Sequence, residues 1–276
     1  MRANPPAGIP WADPTDAQPE SALNLVDGRP ADHLPLDEPA LGTGMAVYEA
    51  LRTYGGRPFR VSEHLRRLRD SAAWFGFACA ADAVFAAEIE RVVDGISGEV
   101  AVFLMLTGGG RRVVRSRPLD LARVGAAVRV ATLPWEPPPW LPGWVKHTNR
   151  AGWQLAAQKA GVDEVLFVDT AGHWTEANRS NLFVVRSGTL CTPPDDGRIL
   201  RGVTRGALIE GAVALGIPVL EEAVTPGEAD EIYLSSTLKG LVPIVEVDGR
   251  KTAGTGPVGD RVRAAFHLIT GGHHAR

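Results

Sequence analysis

One lysine, Lys146, follows a stretch of proline and tryptophan that is unusual next to a charged residue. The run that begins at Glu136 reads EPPPWLPGWVK. An amine attacks a carbonyl carbon only when it is unprotonated, and loss of hydration lowers the pKa of a lysine. Two interpretations stay open, a nucleophile and an ordinary solvated lysine. The neighbours expected to remove Lys146 from water are Trp140, Leu141, Trp144 and Val145.

A second candidate, Glu176, lies in the run GHWTEANRSNLFVV, where one predicted strand ends before the apolar strand NLFVV. A carboxylate in this position could hold a proton on a pyridine-type nitrogen, which would make that ring an electron sink. The alternative is a solvated turn glutamate, which is the commoner environment for this residue type.

Three further segments carry groups that suit a phosphate. In ILRGVTRGALIEGA, Val203 and Thr204 follow a glycine at a predicted helix start, where free N–H groups and the helix dipole attract anions. The run LSSTLKG adds the hydroxyls of Ser235, Ser236 and Thr237, and Arg67 in HLRRL is a candidate counter-charge. A plain threonine N-cap and a helix-surface arginine are the alternatives.

The run TGGGRR, from Thr107 to Arg112, supports a hypothesis from another class, a non-catalytic anion- or nucleotide-binding module. It lacks the Lys-Ser/Thr ending of a P-loop and the G-x-G-x-x-G spacing of a dinucleotide-binding loop. The scattered histidines and the two cysteines, Cys79 and Cys191, form neither a metal-ligand pattern nor a disulfide framework. No metal site is therefore predicted.

The whole chain bounds these possibilities. Its 276 residues are 45% hydrophobic and 22% charged, enough for one large domain or two modest ones. A net charge of −3 gives no reason to expect a nucleic-acid or anionic-membrane partner. Neither a signal-peptide pattern nor a membrane-length apolar run is present, so a cytoplasmic protein is expected. Residues 1–20 are expected to form a flexible tail.

Local signals divide the remainder into short elements. Two glycine turns, Asp27-Gly28 and Gly55-Gly56, each predict a β-hairpin. Ser62 is expected to cap a helix, and further helices are predicted at 81–96, 149–161 and 204–215. Most other segments are predicted to be strands.

Residues 134–142, PWEPPPWLP, contain five prolines and two tryptophans, too many for a helix or a strand. We interpret them as a connector between a small N-terminal domain, 21–133, and a larger C-terminal domain, 143–276. The predicted class is α+β, with mostly antiparallel strands in two lobes.

Taken together and in this order, these segments resemble the class IV, or fold type IV, pyridoxal-phosphate enzymes. That family includes branched-chain and D-amino-acid aminotransferases and 4-amino-4-deoxychorismate lyase. The resemblance runs from about Ala22 to Asp248. It is carried by VYEALRTYGGRPFRVSEHLRRLRDSA, VKHTNR, DEVLFVDTAGHWTEANRSNLFVV, ILRGVTR and DEIYLSSTLKGLVPIVEVDG. It implies pyridoxal 5′-phosphate bound between two lobes, and a homodimer.

The resemblance also implies a role for each candidate residue. Lys146 would bind the cofactor as an imine and move a proton between the substrate and the cofactor, while Glu176 would pair with the pyridine nitrogen. Tyr48, in the VYE position of the family, would line the substrate side. The residues implied to hold the phosphate are Arg67, Val203, Thr204, Ser236 and Thr237.

Two reactions remain open at this point. The leading hypothesis is an aminotransferase that moves an amino group between an amino acid and a 2-oxo acid, because VYEALRTYGG is closer to the aminotransferases. The alternative is a lyase that releases pyruvate and 4-aminobenzoate, because KHTNR resembles a run in aminodeoxychorismate lyases. Several relatives bind a substrate carboxylate with an arginine shortly before the lysine, near the position of Trp135. The tryptophan predicts a bulky or aromatic substrate.

Overall fold

The structure is a computed structural model of the chain, and it describes residues 23–225, 227 and 229–271. The tail predicted at residues 1–20 lies outside this part. Two β-sheets organise the described residues, the first built from strands up to Pro118 and the second from Val128 onward. Helices pack beside both sheets and most strand pairs are antiparallel, so the predicted α+β class is confirmed.

The N-terminal lobe is a six-stranded sheet with two main helices. Its elements are β1 (Asn24–Val26), β2 (Arg29–Pro30), α1 (Pro39–Thr43), β3 (Ala46–Tyr54), β4 (Arg57–Pro58), α2 (Val61–Phe75), α3 (Asp82–Val93), β5 (Val100–Thr107) and β6 (Arg112–Pro118). The strand order is β2-β1-β6-β5-β3-β4, with every neighbouring pair antiparallel. Buried side chains such as Leu51, Leu68 and Ile89 fill the space between the sheet and the helices.

The start of α2 differs from the prediction. Both hairpins form as their glycine turns predict, since β1 pairs with β2 and β3 pairs with β4. The N-cap prediction for Ser62 is wrong, because α2 begins at Val61 and its cap is Arg60, in the left-handed region with φ 50°. Ser62 lies inside the first turn, and its hydroxyl donates to Glu63 at 2.8 Å.

The C-terminal lobe is a nine-stranded sheet with three helices. Its elements are β7 (Val128–Pro134), α4 (Ala151–Ala160), β8 (Glu164–Val168), β9 (Trp174–Ala177), β10 (Ser180–Arg186), β11 (Thr189–Thr192), α5 (Val203–Ala214), β12 (Val219–Glu221), β13 (Glu231–Ser236), β14 (Gly240–Val247), β15 (Arg250–Lys251) and α6 (Pro257–Ile269). Strands β10, β13, β14, β7, β8 and β9 follow one another, and β9 pairs back onto β10. This pairing closes the six strands into a ring around an apolar core.

The segment between β7 and α4 carries the candidate lysine. Residues 135–150 contain no named helix or strand, and α4 begins at Ala151 rather than at the predicted 149. β7 itself pairs with β14 and β8 in the second sheet, although the predicted division left it with the first lobe. None of the helices in the described ranges is long and apolar enough to cross a membrane.

Candidate active site

Two adjoining cavities meet around Lys146. Residues that line both of them include Tyr48, Lys146, Arg150, Asn181 and Leu200. The larger cavity has a volume of about 290 Å³, near the lower end of the range for small-molecule sites. The predicted site residues divide between the two cavities, and Lys146 and Tyr48 face both.

Lys146 is fixed by backbone hydrogen bonds to the N-terminal lobe. Its N–H donates to the Ser71 hydroxyl of α2 at 3.0 Å, and its carbonyl accepts from the Tyr48 N–H of β3 at 3.1 Å. Its Nζ lies 4.7 Å from the centroid of the Tyr48 ring. Burial lowers the pKa of Lys146, and the nearby Arg67 and Arg150 lower it further, against the opposing effect of Tyr48 and Glu49. Lys146 is therefore withdrawn from water, and its pKa is lowered.

The apolar neighbours of Lys146 differ in what they contribute. Leu141 and Val145 line the smaller cavity, as expected. Trp140 is 77% exposed and does not line either cavity, so its predicted contribution is wrong. Trp144 instead packs edge-on against Trp74 of α2, with the ring centroids 5.3 Å apart. The proline-rich turn directs its ring onto this helix.

Glu176 lies on β9 with only 8% of its surface exposed. Its Oε2 accepts hydrogen bonds from the Leu200 N–H at 3.0 Å and from Asn181 Nδ2 at 3.1 Å. Burial raises the pKa of Glu176 to about 8, despite the opposing effect of the Leu200 hydrogen bond and of Lys146. Oε1 accepts no hydrogen bond from the described residues, and Glu176 lines the smaller cavity. A buried carboxyl with one unbonded oxygen suits a cationic ring nitrogen.

The larger cavity ends in a group of hydroxyls and backbone N–H groups. The α5 helix begins there at Val203, and its N-cap, Gly202, provides no capping side chain. The Ser235 hydroxyl is buried without a hydrogen-bond partner in the described part of the chain. A helix N-terminus with free N–H groups and an unsatisfied hydroxyl suits a phosphate. The predicted residues that line this end are Arg67, Val203, Thr204, Ser236 and Thr237.

Tyr48 and Trp135 both line cavities that Lys146 also lines. The Tyr48 hydroxyl accepts a hydrogen bond from Arg150 Nη1, and Tyr48 lines both cavities. Trp135 lines the smaller cavity and packs against Trp153 and Phe167, with ring centroids 4.9 and 4.5 Å apart. Both predicted positions therefore border the space in front of Lys146.

Sequence reasoning missed two residues of the site. Arg150 lines both cavities, and besides the Tyr48 hydroxyl it donates to the Asn178 carbonyl at 2.8 Å. Asn181 bonds Glu176 and the Leu200 carbonyl through Nδ2. Both occur in runs already singled out, VKHTNR and EANRSNLF, and spacing alone assigned them no function.

The glycine run TGGGRR is a hairpin turn between β5 and β6. The Gly109 N–H donates to Glu38 at 3.0 Å, Arg111 pairs with Asp27 and Arg112 pairs with Glu88. Its donors are therefore bound within the N-terminal lobe, which leaves little for an external anion. In the described part of the chain, no group of three or more His, Cys, Asp or Glu residues could hold a metal ion.

Comparisons with known proteins agree with this geometry. A family model described as amino-transferase class IV matches residues 46–247. A probable branched-chain-amino-acid aminotransferase of Thermotoga maritima is 33% identical over 227 residues, covering 78% of this chain and 83% of the relative. A D-alanine aminotransferase of Listeria monocytogenes is 30% identical over 76% of this chain and 81% of the relative.

One relative is longer, and one solved structure contains the cofactor. The chain aligns with 46% of branched-chain-amino-acid aminotransferase-like protein 2 of Arabidopsis thaliana, at 28% identity over 83% of this chain. The pyridoxal-phosphate-bound form of a hypothetical aminotransferase from Mycobacterium tuberculosis superposes with a TM-score of 0.81 at 26% identity. That superposition covers 92% of this chain and 100% of the other. The chain belongs to the class IV aminotransferases and is a pyridoxal-phosphate-dependent enzyme of fold type IV.

Proposed function

We propose that the chain transfers the amino group of an apolar amino acid to a 2-oxo acid in the two cavities around Lys146. The observation that carries this proposal is the placement of three groups in two adjoining cavities that Lys146 shares: the buried amine of Lys146, the Glu176 carboxyl and the N-terminus of α5. The lyase alternative is not favoured, since the relatives named above are aminotransferases.

The two titratable groups divide the proton chemistry. Pyridoxal phosphate, when bound, supplies an electron sink for negative charge at the substrate α-carbon. Lys146 Nζ holds the cofactor and moves the α-proton, which requires an amine that is neutral at working pH. Glu176 would hold the proton on the ring nitrogen, while the Leu200 N–H and Asn181 keep its Oε2 in place.

The phosphate is assigned to the part of the larger cavity that is lined by the start of α5. The N–H groups there and the hydroxyls of Thr204, Ser236 and Thr237 would donate hydrogen bonds to it, and Arg67 would supply the cation. We add the unsatisfied hydroxyl of Ser235 to this set. These groups would hold the phosphate and so orient the bound cofactor toward Lys146.

Arg150 is the residue we assign to the substrate carboxylate. Its guanidinium opens onto both cavities, and its hydrogen-bond partners, the Tyr48 hydroxyl and the Asn178 carbonyl, are both neutral. An arginine without a carboxylate partner beside the lysine would pair favourably with the carboxylate of an amino or oxo acid. The aromatic wall of Trp135 and Trp153 faces the same cavity, which favours an apolar side chain on the substrate.

The test is a screen of amino donors and 2-oxo acids on protein loaded with pyridoxal phosphate. Branched-chain amino acids, aromatic amino acids and both enantiomers of alanine serve as donors, and 4-amino-4-deoxychorismate is a separate arm. Amino transfer that disappears in Lys146→Ala is the expected result. Release of pyruvate and 4-aminobenzoate without any oxo-acid acceptor would overturn the proposal in favour of the lyase.

We also propose a homodimer, as the family resemblance implies. Size-exclusion chromatography with light scattering should give about twice the monomer mass of 29.4 kDa. A monomer that is fully active at the same concentration would contradict this assembly. A cytoplasmic location stays a prediction.

A further inference from the structure

The carboxylate of Glu49 is completely buried but lines neither cavity. It lies on β3 next to Tyr48, and its side chain meets two residues of α2, His64 and Arg67. Burial alone would raise the pKa of Glu49, but Arg67 and His64 outweigh burial and hold it well below its ordinary value. Glu49 therefore stays negatively charged, and it lies next to Arg67, which lines the phosphate end of the larger cavity.

The Glu49 carboxylate accepts two hydrogen bonds from the guanidinium of Arg67. Its Nε donates to Glu49 Oε1 at 2.7 Å, and its Nη2 donates to Oε2 at 2.8 Å. Its Nη1 donates to the Arg201 carbonyl, directly before the start of α5, at 2.7 Å. Each Nη nitrogen carries a second N–H, so one donor on each stays free of any partner among the described residues. The two hydrogen bonds to Glu49 thus fix the plane of the guanidinium, and the remaining N–H groups are available to a ligand.

His64 completes the arrangement from the other side. Its Nδ1 lies 2.8 Å from Glu49 Oε2, while its Nε2 is buried without a partner in the described part of the chain. Burial lowers the pKa of His64 against the opposing effect of Glu49, and the cations Arg67 and Lys146 lower it further. A neutral imidazole with its proton on Nδ1 donates to the carboxylate without competing with Arg67 for its charge.

We propose that Glu49 is a positioning residue that, held by His64, fixes the guanidinium of Arg67 for the phosphate of the cofactor. The proposal rests on the assignment of Arg67 to the phosphate. Without Glu49 the long arginine side chain would lose its fixed plane, and ordering it again would reduce the affinity for the phosphate group. The effect is expected to be specific to that group, because Glu49 contacts neither cavity.

The experiment compares pyridoxal phosphate with pyridoxal, which lacks the phosphate, in equilibrium binding to ligand-free protein followed by tryptophan fluorescence. In Glu49→Gln the Kd for pyridoxal phosphate should rise about tenfold to hundredfold, as when the outer partner of a ligating side chain is removed. The Kd for pyridoxal should stay unchanged. The ratio of the two Kd values is therefore the quantity that shows whether Arg67 is positioned for the phosphate.

Glu88→Gln is the matched control. Glu88 is 4% exposed and pairs with Arg112 at 2.9 Å in the same lobe, away from both cavities. The Glu88→Gln variant should lose stability as Glu49→Gln does, while its Kd values for pyridoxal phosphate and pyridoxal stay at wild-type levels. Should Glu49→Gln fail to fold, Glu49→Asp keeps the charge but shortens its reach, and it should show the same reduced preference for the phosphorylated compound.

Two results would overturn the proposal. Equal weakening of both compounds would make Glu49 a general structural residue, and an unchanged preference in the folded variant would remove its connection to the phosphate. Arg67→Ala separates this failure from that of the proposed site. If Arg67→Ala keeps the preference, the phosphate assignment itself is wrong. If it loses the preference while Glu49→Gln keeps it, only the positioning role is wrong.

Discussion

The Glu176 carboxyl is the residue whose titration couples the site to stability. Burial raises its pKa from 4.5 to about 8 in the ligand-free protein. Between these values the folded protein keeps a proton that the unfolded chain has released, so stability falls as pH rises, by at most about 1.4 kcal/mol per pH unit. Glu176→Gln should remove this slope. Urea unfolding of ligand-free protein at several pH values measures it, and equal slopes in the two proteins would contradict the assignment.

Arg150 provides the second prediction at this scale. Replacing a guanidinium by an ammonium removes bidentate pairing with a carboxylate, so Arg150→Lys should raise KM for amino and oxo acids about tenfold or more. Steady-state kinetics are measured with an amino acid donor and with a primary amine donor that lacks a carboxylate. The KM for the primary amine should be unaffected. Arg179→Lys is the control, because Arg179 also lines both cavities but is exposed and bonds the Asp163 carbonyl. An equal rise in KM in both variants would contradict a specific function of Arg150 in substrate recognition.

At the scale of elements, the start of α5 depends on the contact between Gly202 and Asn181. A Cβ at Gly202 would lie 1.9 Å from Asn181 Oδ1, and Asn181 in turn bonds Glu176. Gly202→Ala should therefore cost about 1–3 kcal/mol of stability and weaken cofactor binding. Gly206→Ala, on the same helix with nothing within 4 Å of its Cβ, should be neutral or stabilise by up to about 1 kcal/mol. Urea unfolding and cofactor titration of both variants check this, and a Gly202→Ala protein that matches Gly206→Ala would refute it.

Local signals were sufficient for much of the element structure. Asp27-Gly28 and Gly55-Gly56 demand positive φ, and each produced the predicted hairpin. Ser62 failed as a cap because Arg60 adopts φ 50° and α2 begins at Val61, two residues earlier than a cap at Ser62 would place it. The pairing of β10 with β13 and the parallel pairs of β7 join segments that are far apart in sequence, which residue patterns do not encode.

The candidate site shows the same division between local and non-local information. The resemblance brought Lys146, Glu176 and the residues of the phosphate end together, and the structure gathers them around adjoining cavities. Glu49 was visible only as part of the quoted VYE run, since its function depends on a contact with Arg67 on another element. A residue that acts through a second side chain leaves no signal in its own neighbourhood.

At the scale of the whole molecule, the site joins the two lobes. Arg67 and Tyr48 come from the first sheet and its helix, whereas Thr204 and Ser236 come from the second lobe. The segment that carries Lys146 belongs to neither sheet but pairs with β3 through an isolated bridge between Val47 and His147. A ligand in this position contacts both lobes, so its binding energy stabilises their association as well as each lobe.

Removal of pyridoxal phosphate should therefore destabilise the whole chain as one unit. A ligand that binds only the folded state adds about 2.7 kcal/mol when its free concentration is about a hundred times Kd. Thermal unfolding should show a single transition that moves upward with the cofactor, and Lys146→Ala should show a smaller shift because the covalent attachment is lost. Two transitions, of which the cofactor shifts only one, would mean that the ligand is held by one lobe alone.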